Sequence, residues 1–559
     1  MRLLRNESGL SSELFLVLLT AIASGQETTR VSVDSSGAEG NNGGWAWAIS
    51  ADGRVVVFGS DSTNLVPGDT NGVPDIFVHD RSTGLTERIS VSSTGVEGNG
   101  ESRFRAAVSA DGRVVVFGSD ATNLVPNDTN GKPDVFVHDR SNGTTERISL
   151  DSSGTEGNNT SLVGAISADG RFVVFGSFAS NLVPGDTNGV ADGFVHDRST
   201  GLTERISVSS TGAEGDDDSG GEAISADGQV VAFTSEASNL VPGDTNGQPD
   251  IFVHDRFTGI TERISVDSSA VQGGNQSIAA AVSADGQVVA FLSLSRLDPP
   301  DTNRTWDVFV RDRSTGLTER VSVDSSGTEG NGASLHPAIS ADGQVVSFDS
   351  EASNFVAGDT NNAWDIFVHH RFTGITERVS VDSSGTEGNA SSVISALSAH
   401  GQFVVFSSHA TNLVAGDTNG LSDAFVHELP CDADASWSNY GAGFPGSNGI
   451  PSFTSRADPV LGTRLILDVG NSYGNDTPGL LLFGYQEAFV PTHWGGVLLL
   501  QPVGTIPFYV SWLGSSIEAD LPDEKGLCGL YLFLQVLEID PGAAKGVSFT
   551  PGLKLLLGH

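Results

Sequence analysis

Residues 29–428 are filled by seven copies of one 57–59-residue unit. Its most regular landmark, an apolar residue followed by Ser-Ala-Asp/His-Gly, starts at Ile49, Val108, Ile166, Ile224, Val282, Ile339 and Leu397. Such a period restricts the chain to a repeat architecture, because each unit can bury its apolar face only against its neighbours. Every unit holds four apolar runs of strand length. In the second copy they are 105–109, 113–119, 134–139 and 145–150, rich in Val, Ile and Phe and bounded by Gly, Asp, Asn or Pro. They are labelled strands a to d below.

Four strands per unit at about this period describe the blade of a β-propeller. Strands a, b and c occur seven times, the last set ending at Phe425-Val426-His427 with no Thr-Glu-Arg-Ile-Ser-Val strand after it. Strand d also occurs seven times, but its first copy, Thr29-Arg30-Val31-Ser32-Val33, stands alone ahead of the first blade. If that segment completes the seventh blade, no sheet is left short and no edge is left open. The expected fold is all-β: a seven-bladed β-propeller closed by its amino-terminal strand, followed by a small β-sandwich.

The 559 residues exceed one ordinary domain. Residues 1–25 have the pattern of a secretory signal peptide: Arg2 and Arg5, then the apolar run 14–19, then Ala21, Ala23 and Gly25. That run is too short to anchor in a bilayer, and no later stretch reaches about 18 uninterrupted apolar residues. The expected organisation is a signal peptide at 1–25, the propeller at 26–429 and a β module at 430–559. The expected mature protein is exported (periplasmic, cell-surface or extracellular), has no membrane span and is monomeric. Cys431 and Cys528, both outside the repeats, are candidates for a disulfide in an oxidising compartment, with two free thiols as the alternative. With 69 Asp and Glu against 29 Lys and Arg, the formal charge is −40, which disfavours nucleic acid and anionic lipid as partners. It suits divalent cations, a cationic partner, or simple solubility.

The first blade reads Ser50-Ala51-Asp52-Gly53, Val57-Phe58-Gly59-Ser60, Asp75-Ile76-Phe77-Val78 and Asp80, and the same elements recur in order through about 400 residues. This resembles the TolB-like, WD40-like propeller repeat often called PD40. Its signature runs Ser-Pro-Asp-Gly, a strand ending Ala-Phe-x-Ser, then Asp-Ile-Tyr-Val and an Asp before a turn. Here Ala replaces the usual Pro, a change harmless to a turn.

The a–b and c–d connections are tight turns, whereas the b–c and d–a loops are long and lie on one side of the disc. That face is where long ordered loops favour binding. Each b–c loop holds Asp-Thr-Asn followed four residues later by Asp. The copies are Asp69, Asn71 and Asp75; Asp128, Asn130 and Asp134; Asp186, Asn188 and Asp192; Asp244, Asn246 and Asp250; Asp301, Asn303 and Asp307; Asp359, Asn361 and Asp365; and Asp417, Asn419 and Asp423. Closely spaced Asp and Asn oxygens in a Gly-containing turn suit calcium, although loop positions 1, 3 and 7 match an EF-hand only in part. The alternative is that these side chains cap the turn by accepting local backbone N–H groups.

Strand c repeats a histidine: His79, His138, His196, His254, His369 and His427, with Arg311 in the fifth blade. A residue copied around a ring points to packing or hydrogen bonding rather than to one active site. Two serine motifs are drift or hairpin chemistry: Asp217-Asp218-Ser219-Gly220-Gly221 in a d–a loop, and Gly470-Asn471-Ser472-Tyr473-Gly474, which leads into another strand where a nucleophile elbow must enter a helix. No zinc-protease motif, phosphate loop or dinucleotide fingerprint is present.

After residue 430 the composition shifts to Leu-rich runs separated by Gly, Pro and Asn. The opening 440–449 and the closing Asp540-Pro541-Gly542-Ala543 resemble a carboxy-terminal module of secreted proteins from planctomycete-type bacteria, which implies export and surface attachment or sorting. The expected function is that of an exported, non-enzymatic binding scaffold presenting its acidic long-loop face to a protein or glycan partner. A secreted polysaccharide lyase or hydrolase working in the funnel, and a structural envelope or matrix component, are the alternatives. An enzyme needs blade-specific residues that converge, and the residues that depart from the repeat, Arg296, Arg304, Arg311, His336, His370, His400 and His409, do not visibly converge in the sequence.

Overall fold

The computed structural model describes residues 27–297, 302–429, 435–484, 487–502, 504–521 and 531–558. The signal pattern at 1–25, Asp301 and both cysteines, Cys431 and Cys528, lie outside the described residues. The chain divides into two compact units, Gln26–Leu429 and Pro430–His559. No helix occurs among the described residues, and none is long and apolar enough to cross a membrane.

The first unit contains seven four-stranded antiparallel sheets. Blade 1 runs Gly44–Ile49, Val55–Ser60, Asp75–Asp80 and Leu85–Arg88 as strands a to d. Blade 7 takes strands a to c from Ser392–Leu397, Phe403–Ser408 and Asp423–Glu428, and its fourth strand is Thr28–Arg30. Thr28 lies opposite His427, Thr29 opposite Val426 and Arg30 opposite Phe425. The ring is therefore closed by backbone pairing between the two ends of the repeat region.

Strand d is shorter than the sequence pattern suggests. It stops at Arg147 in blade 2 and at Arg30 in blade 7, because a side chain takes over the ladder. The Ser149 hydroxyl accepts from the Val135 N–H at 3.3 Å and donates to Asp134 at 2.6 Å.

Strands a of successive blades touch one another round the ring, the seventh touching the first, so they line the axis. Strands b and c are sandwiched between neighbouring blades and read as continuous apolar runs; all of Val55–Ser60 is buried. Each blade stacks one phenylalanine of strand b on one of strand c, from Phe58 on Phe77 (ring centroids 5.6 Å apart) to Phe406 on Phe425 (5.8 Å). Burying such pairs on both blade faces supplies the main packing free energy of the ring, roughly 1.5–3 kcal/mol per side chain.

In the second unit a six-stranded sheet orders Ser436–Tyr440, Gly552–Leu556, Tyr531–Ile539, Thr477–Gly484 and Gly504–Val510, with Val547–Phe549 added against Tyr531–Ile539. A three-stranded sheet holds Phe453–Ser455, Arg464–Val469 and Ser515–Asp520. Leu465, Leu467 and Val469 from the smaller sheet meet Leu481, Val510, Leu534, Val536 and Leu555 from the larger in one core, the arrangement of a β-sandwich.

Candidate functional site

The aspartates of the b–c loops gather around an arginine from the end of strand d. In blade 1, Nη1 of Arg88 lies 3.3 Å from Asp69, 3.1 Å from Asp75 and 2.9 Å from Glu97 of the d–a loop. Arg147 does the same with Asp128, Asp134 and Glu156, and Arg205 with Asp186, Asp192 and Glu214. Arg378 serves Asp359, Asp365 and Glu387, and the closing strand brings Arg30 to Asp423 and Glu39, beside Asp417. Blade 4 keeps Arg263 with Asp244 and Asp250, and blade 5 keeps Arg320 with Asp307 and Glu329.

Four of these groups, in blades 2, 3, 6 and 7, present three carboxylate oxygens within 4.8 Å of one another and could hold a metal ion. The asparagines are turned the other way for that purpose. The Asn71 carbonyl accepts from the Val73 N–H at 3.1 Å, while its amide donates to Asp75 and to the Gly98 carbonyl, both at 3.0 Å. Asn130, Asn188, Asn246, Asn303, Asn361 and Asn419 likewise accept from the backbone two residues on and donate to a d–a loop carbonyl.

A calcium ion needs six to eight oxygens, and here the amide oxygen is used for the turn while a guanidinium stands among the carboxylates. Burial pushes the Asp128 carboxyl up to about 6 against the pull of Arg147. Burial also raises Glu214, but hydrogen bonds from Thr187 and Asn188 and the pairing with Arg205 outweigh it and hold the carboxyl at about 2.

The long loops are clasped to one another. Glu97 accepts from the backbone and hydroxyl of Thr70 in blade 1. Two residues on, the Asn99 N–H donates to Asn123 of blade 2 at 2.9 Å, and Asn99 accepts from the Thr122 N–H at 2.8 Å. One connector thus ties two blades. Arginines beyond strand c add ion pairs across the opposite edge, such as Arg198 with Glu146 at 2.6 Å.

The repeated histidines are structural. His79 Nδ1 lies 2.9 Å from the Thr86 hydroxyl, whose proton goes to the Val33 carbonyl at 2.6 Å, so the imidazole is the donor in the first bond. Arg311 replaces it in blade 5 by donating to the Thr318 hydroxyl at 3.0 Å.

The sites that differ from blade to blade lie on the axis. Each strand a carries a β-bulge, where two residues oppose one phenylalanine of strand b: Ala46 pairs with Phe58 and Ala48 with Val57, leaving Trp47 extra. Bulges recur at the equivalent place in all seven blades. The bulge pairs are Ala46-Trp47, Arg105-Ala106, Val163-Gly164, Gly221-Glu222, Ala279-Ala280, His336-Pro337 and Ile394-Ser395. Bulges re-aim side chains, and they are frequent beside sites. Ala279, His336 and Ile394 have φ of 57°, 49° and 55°, a strained region for residues with a Cβ.

Next to the phenylalanine that opposes the bulge, the penultimate residue of strand b is Gly59, Gly118 and Gly176 in blades 1 to 3 but Thr234, Leu292, Asp349 and Ser407 in blades 4 to 7. These two positions act together. His336 Nδ1 lies 2.9 Å from Asp349, and the Thr234 hydroxyl donates to Glu222 at 2.6 Å, with the Ala280 N–H on its other oxygen. Asp349 also accepts from the Ile394 N–H at 3.3 Å, while its second oxygen is buried without a partner.

Burial raises the Glu222 carboxyl above its usual range, opposed by the Thr234 and Ala280 hydrogen bonds and by the charge of Arg105. The hydrogen bond to Asp349 raises His336, opposed by burial and again by Arg105. Arg105 stays exposed, and the His336 side chain keeps 49% of its surface open while its inner edge is covered. Of the odd residues read from the sequence, only His336 joins this group. His370 pairs with Glu377 at 3.0 Å, and Arg296 and Arg304 lie elsewhere, in a cavity of the blade 5 loop.

In the second unit Ser472 is buried. Its hydroxyl contacts Ser548 at 2.6 Å and donates to Glu538 at 3.0 Å. Ser447, from the opening motif, donates from its hydroxyl to Asp540 of the closing motif at 2.6 Å. The two motifs therefore meet as a structural lock, into which Ser472 is tied by the carboxylates of Glu538 and Asp540.

The chain matches no protein-family profile and no curated sequence. Similar solved structures include a TolB from Agrobacterium tumefaciens (13% identity, TM-score 0.34, 62% of this chain and 94% of that one). An oligogalacturonate lyase in complex with manganese is also similar (13%, 0.44, 73% and 99%), as are the RRP9 WD40 repeats (10%, 0.35, 69% and 94%).

Proposed function

We propose that the protein is an exported, non-enzymatic binding scaffold that receives a glycan partner at the propeller axis. The observation carrying this reading is that the repeat diversifies at the bulge and at its strand b neighbour. There it sets Arg105, Glu222 and the His336–Asp349 pair around one axis. A site with donors, acceptors and charges of both signs suits a polyhydroxylated ligand. Loop side chains such as Asn99, Thr122 and Asn123 are engaged in tying blades together, which favours the axis over the long-loop face. Export rests on the signal pattern at 1–25. A panel of neutral and acidic oligosaccharides tested against residues 26–559 should give binding that the triple variant Arg105→Ala, Glu222→Gln, His336→Gln loses at unchanged melting temperature. Equal binding by the variant overturns the reading.

The His336–Asp349 pair, which like Glu222 feels the charge of Arg105, favours a second reading, a lyase or hydrolase using these groups as acid and base. New reducing ends or unsaturated products from a polysaccharide, abolished by His336→Gln alone, would establish it.

For the acidic triads we infer that the guanidinium is the resident cation and that calcium competes for the same carboxylates. The inward-facing arginine and the outward-turned asparagine carbonyl support this.

A further inference from the structure

The second unit holds two buried carboxylates with no cation beside them. Glu538, on strand Tyr531–Ile539, and Asp540, just past its end, are both fully buried. The ion pairs described in this unit lie elsewhere, Arg456 with Asp468 and Arg464 with Glu518 and Asp520. Tyr531, the first described residue after 522–530, stands seven residues of extended strand from Glu538, roughly 23 Å. In the propeller the chain answers buried carboxylates with arginine, as Arg147 answers Asp134. Here it supplies only hydroxyl and amide groups.

The protons available fall short. Ser472 Oγ lies 3.0 Å from Glu538, 3.3 Å from Asp540 and 2.6 Å from the Ser548 hydroxyl, and it has a single proton to give. Asp540 also accepts from the Ser447 N–H and hydroxyl and from the Gly542 N–H. Glu538 Oε2 accepts from the Ser472 N–H at 3.1 Å, but Oε1 is buried and has no hydrogen-bond partner. A proton on Glu538 would leave Oε1 unmatched too, because no acceptor stands there. A buried carboxylate is stable when it is paired or when it coordinates a metal ion.

Space is kept beside these oxygens. The φ of Gly446 lies outside the left-handed region, so its backbone does not call for glycine, yet a Cβ there would collide with Asp540 Oδ2 and Ser472 Oγ. Glycine leaves both oxygens uncovered where the opening motif passes them.

We propose that Glu538 and Asp540, with the Ser472 hydroxyl, bind a calcium ion that pins the opening motif, the 470–476 loop and the closing motif to one another. Two carboxylates and a hydroxyl are hard oxygen ligands with the charge to balance a divalent cation, a set that suits calcium and not a metal that prefers sulfur or imidazole. Unlike the acidic groups of the propeller, this pair has no guanidinium to compete with the ion. The proposal is independent of what the axis binds.

The test strips the purified protein with chelator, adds calcium chloride at constant ionic strength, and reads hydrogen exchange by segment and the ion count by native mass measurement. Calcium should protect 446–448, 471–473 and 538–543. Glu538→Gln should bind one ion fewer than the parent, or bind it at least tenfold more weakly. Without calcium, Glu538→Gln should exchange no faster than the parent, since a neutral amide removes the repulsion. Equal ion counts and equal protection in parent and variant overturn the proposal. So does calcium protection that is absent or confined to the propeller loops. If Glu538→Gln does not fold, segment protection in the parent decides alone.

Discussion

The backbone N–H of Ala399 donates to the carbonyl of Ala51 at 3.1 Å, joining the first turn of blade 7 to that of blade 1. Ala51 in turn donates to Ala110, Ala110 to Ala168, and so on through Ala226, Ala284 and Ala341 back to Ala399, at 2.7–3.1 Å. Seven amides thus form one cycle in which every residue both gives and accepts. The repeat signature that this chain resembles has proline at this place, and proline has no N–H to give. The alanine that looked harmless to a turn is therefore what allows the cycle.

Ala399→Pro should cost about 1 kcal/mol, the net worth of one such bond, while Ala399→Ser should cost less. Urea unfolding reads both. An unchanged midpoint at constant slope for the proline variant would mean that the cycle adds nothing.

Removing the internal cation should be far more damaging. The Arg147 guanidinium is nearly buried and Asp134 wholly so, so Arg147→Ala leaves carboxylates facing one another and should destabilise the fold by about 3–5 kcal/mol. The melting temperature of the parent's propeller should be indifferent to chelator and to millimolar calcium. In Arg147→Ala, calcium should raise it, because Asp128, Asp134 and Glu156 then converge without a competitor. A propeller that melts lower in chelator would instead make calcium its resident ion.

Acid should loosen the ring through its histidines. Burial lowers all six, and His369 and His427 fall to about 4. Their folded value lies below the ordinary 6.5, so their contribution is full above pH 6.5 and is lost as pH falls toward 4, where the unfolded chain takes up protons that the native state refuses. Asp128, raised by burial, acts in the opposite sense over part of this window. His369→Gln can still donate to Thr376, and its unfolding free energy should vary less between pH 7 and 4 than the parent's. Parallel pH profiles would exclude the histidine as the source.

Deleting residues 26–36 should lower the melting temperature sharply or abolish soluble expression. It exposes the edge of Asp423–Glu428 and takes Arg30 and Ser32 away from buried Asp423. A synthetic peptide of residues 26–36 should restore the transition; an unchanged transition in the truncated chain would refute closure by this strand.

The strands, their number per blade and the closure were legible because the repeat keeps apolar runs and turn residues in phase seven times over. The arginine at the centre of each acidic group was harder to assign. Arg147 lies 13 residues after Asp134 and 9 before Glu156, and only the bend of strand d into the next connector brings them together. At the axis the informative signal was variation. Identity among copies draws attention to His79 and its sisters, which proved structural, whereas Arg105, Glu222 and His336 sit where copies disagree. Their partners, such as Asp349 for His336, become visible only once a bulge sets the register between strands a and b.

Closure by Thr28–Arg30 also imposes an order in time. A ribosome makes this strand first and its partner, Asp423–Glu428, about 400 residues later, which at about 5–20 residues per second is a wait of roughly 20–80 s. Throughout that interval six blades can assemble by local pairing while the seventh cannot. The first residues of the ring are thus the last to find their place, and any process that binds or trims the emerging amino terminus controls whether the circle is ever completed.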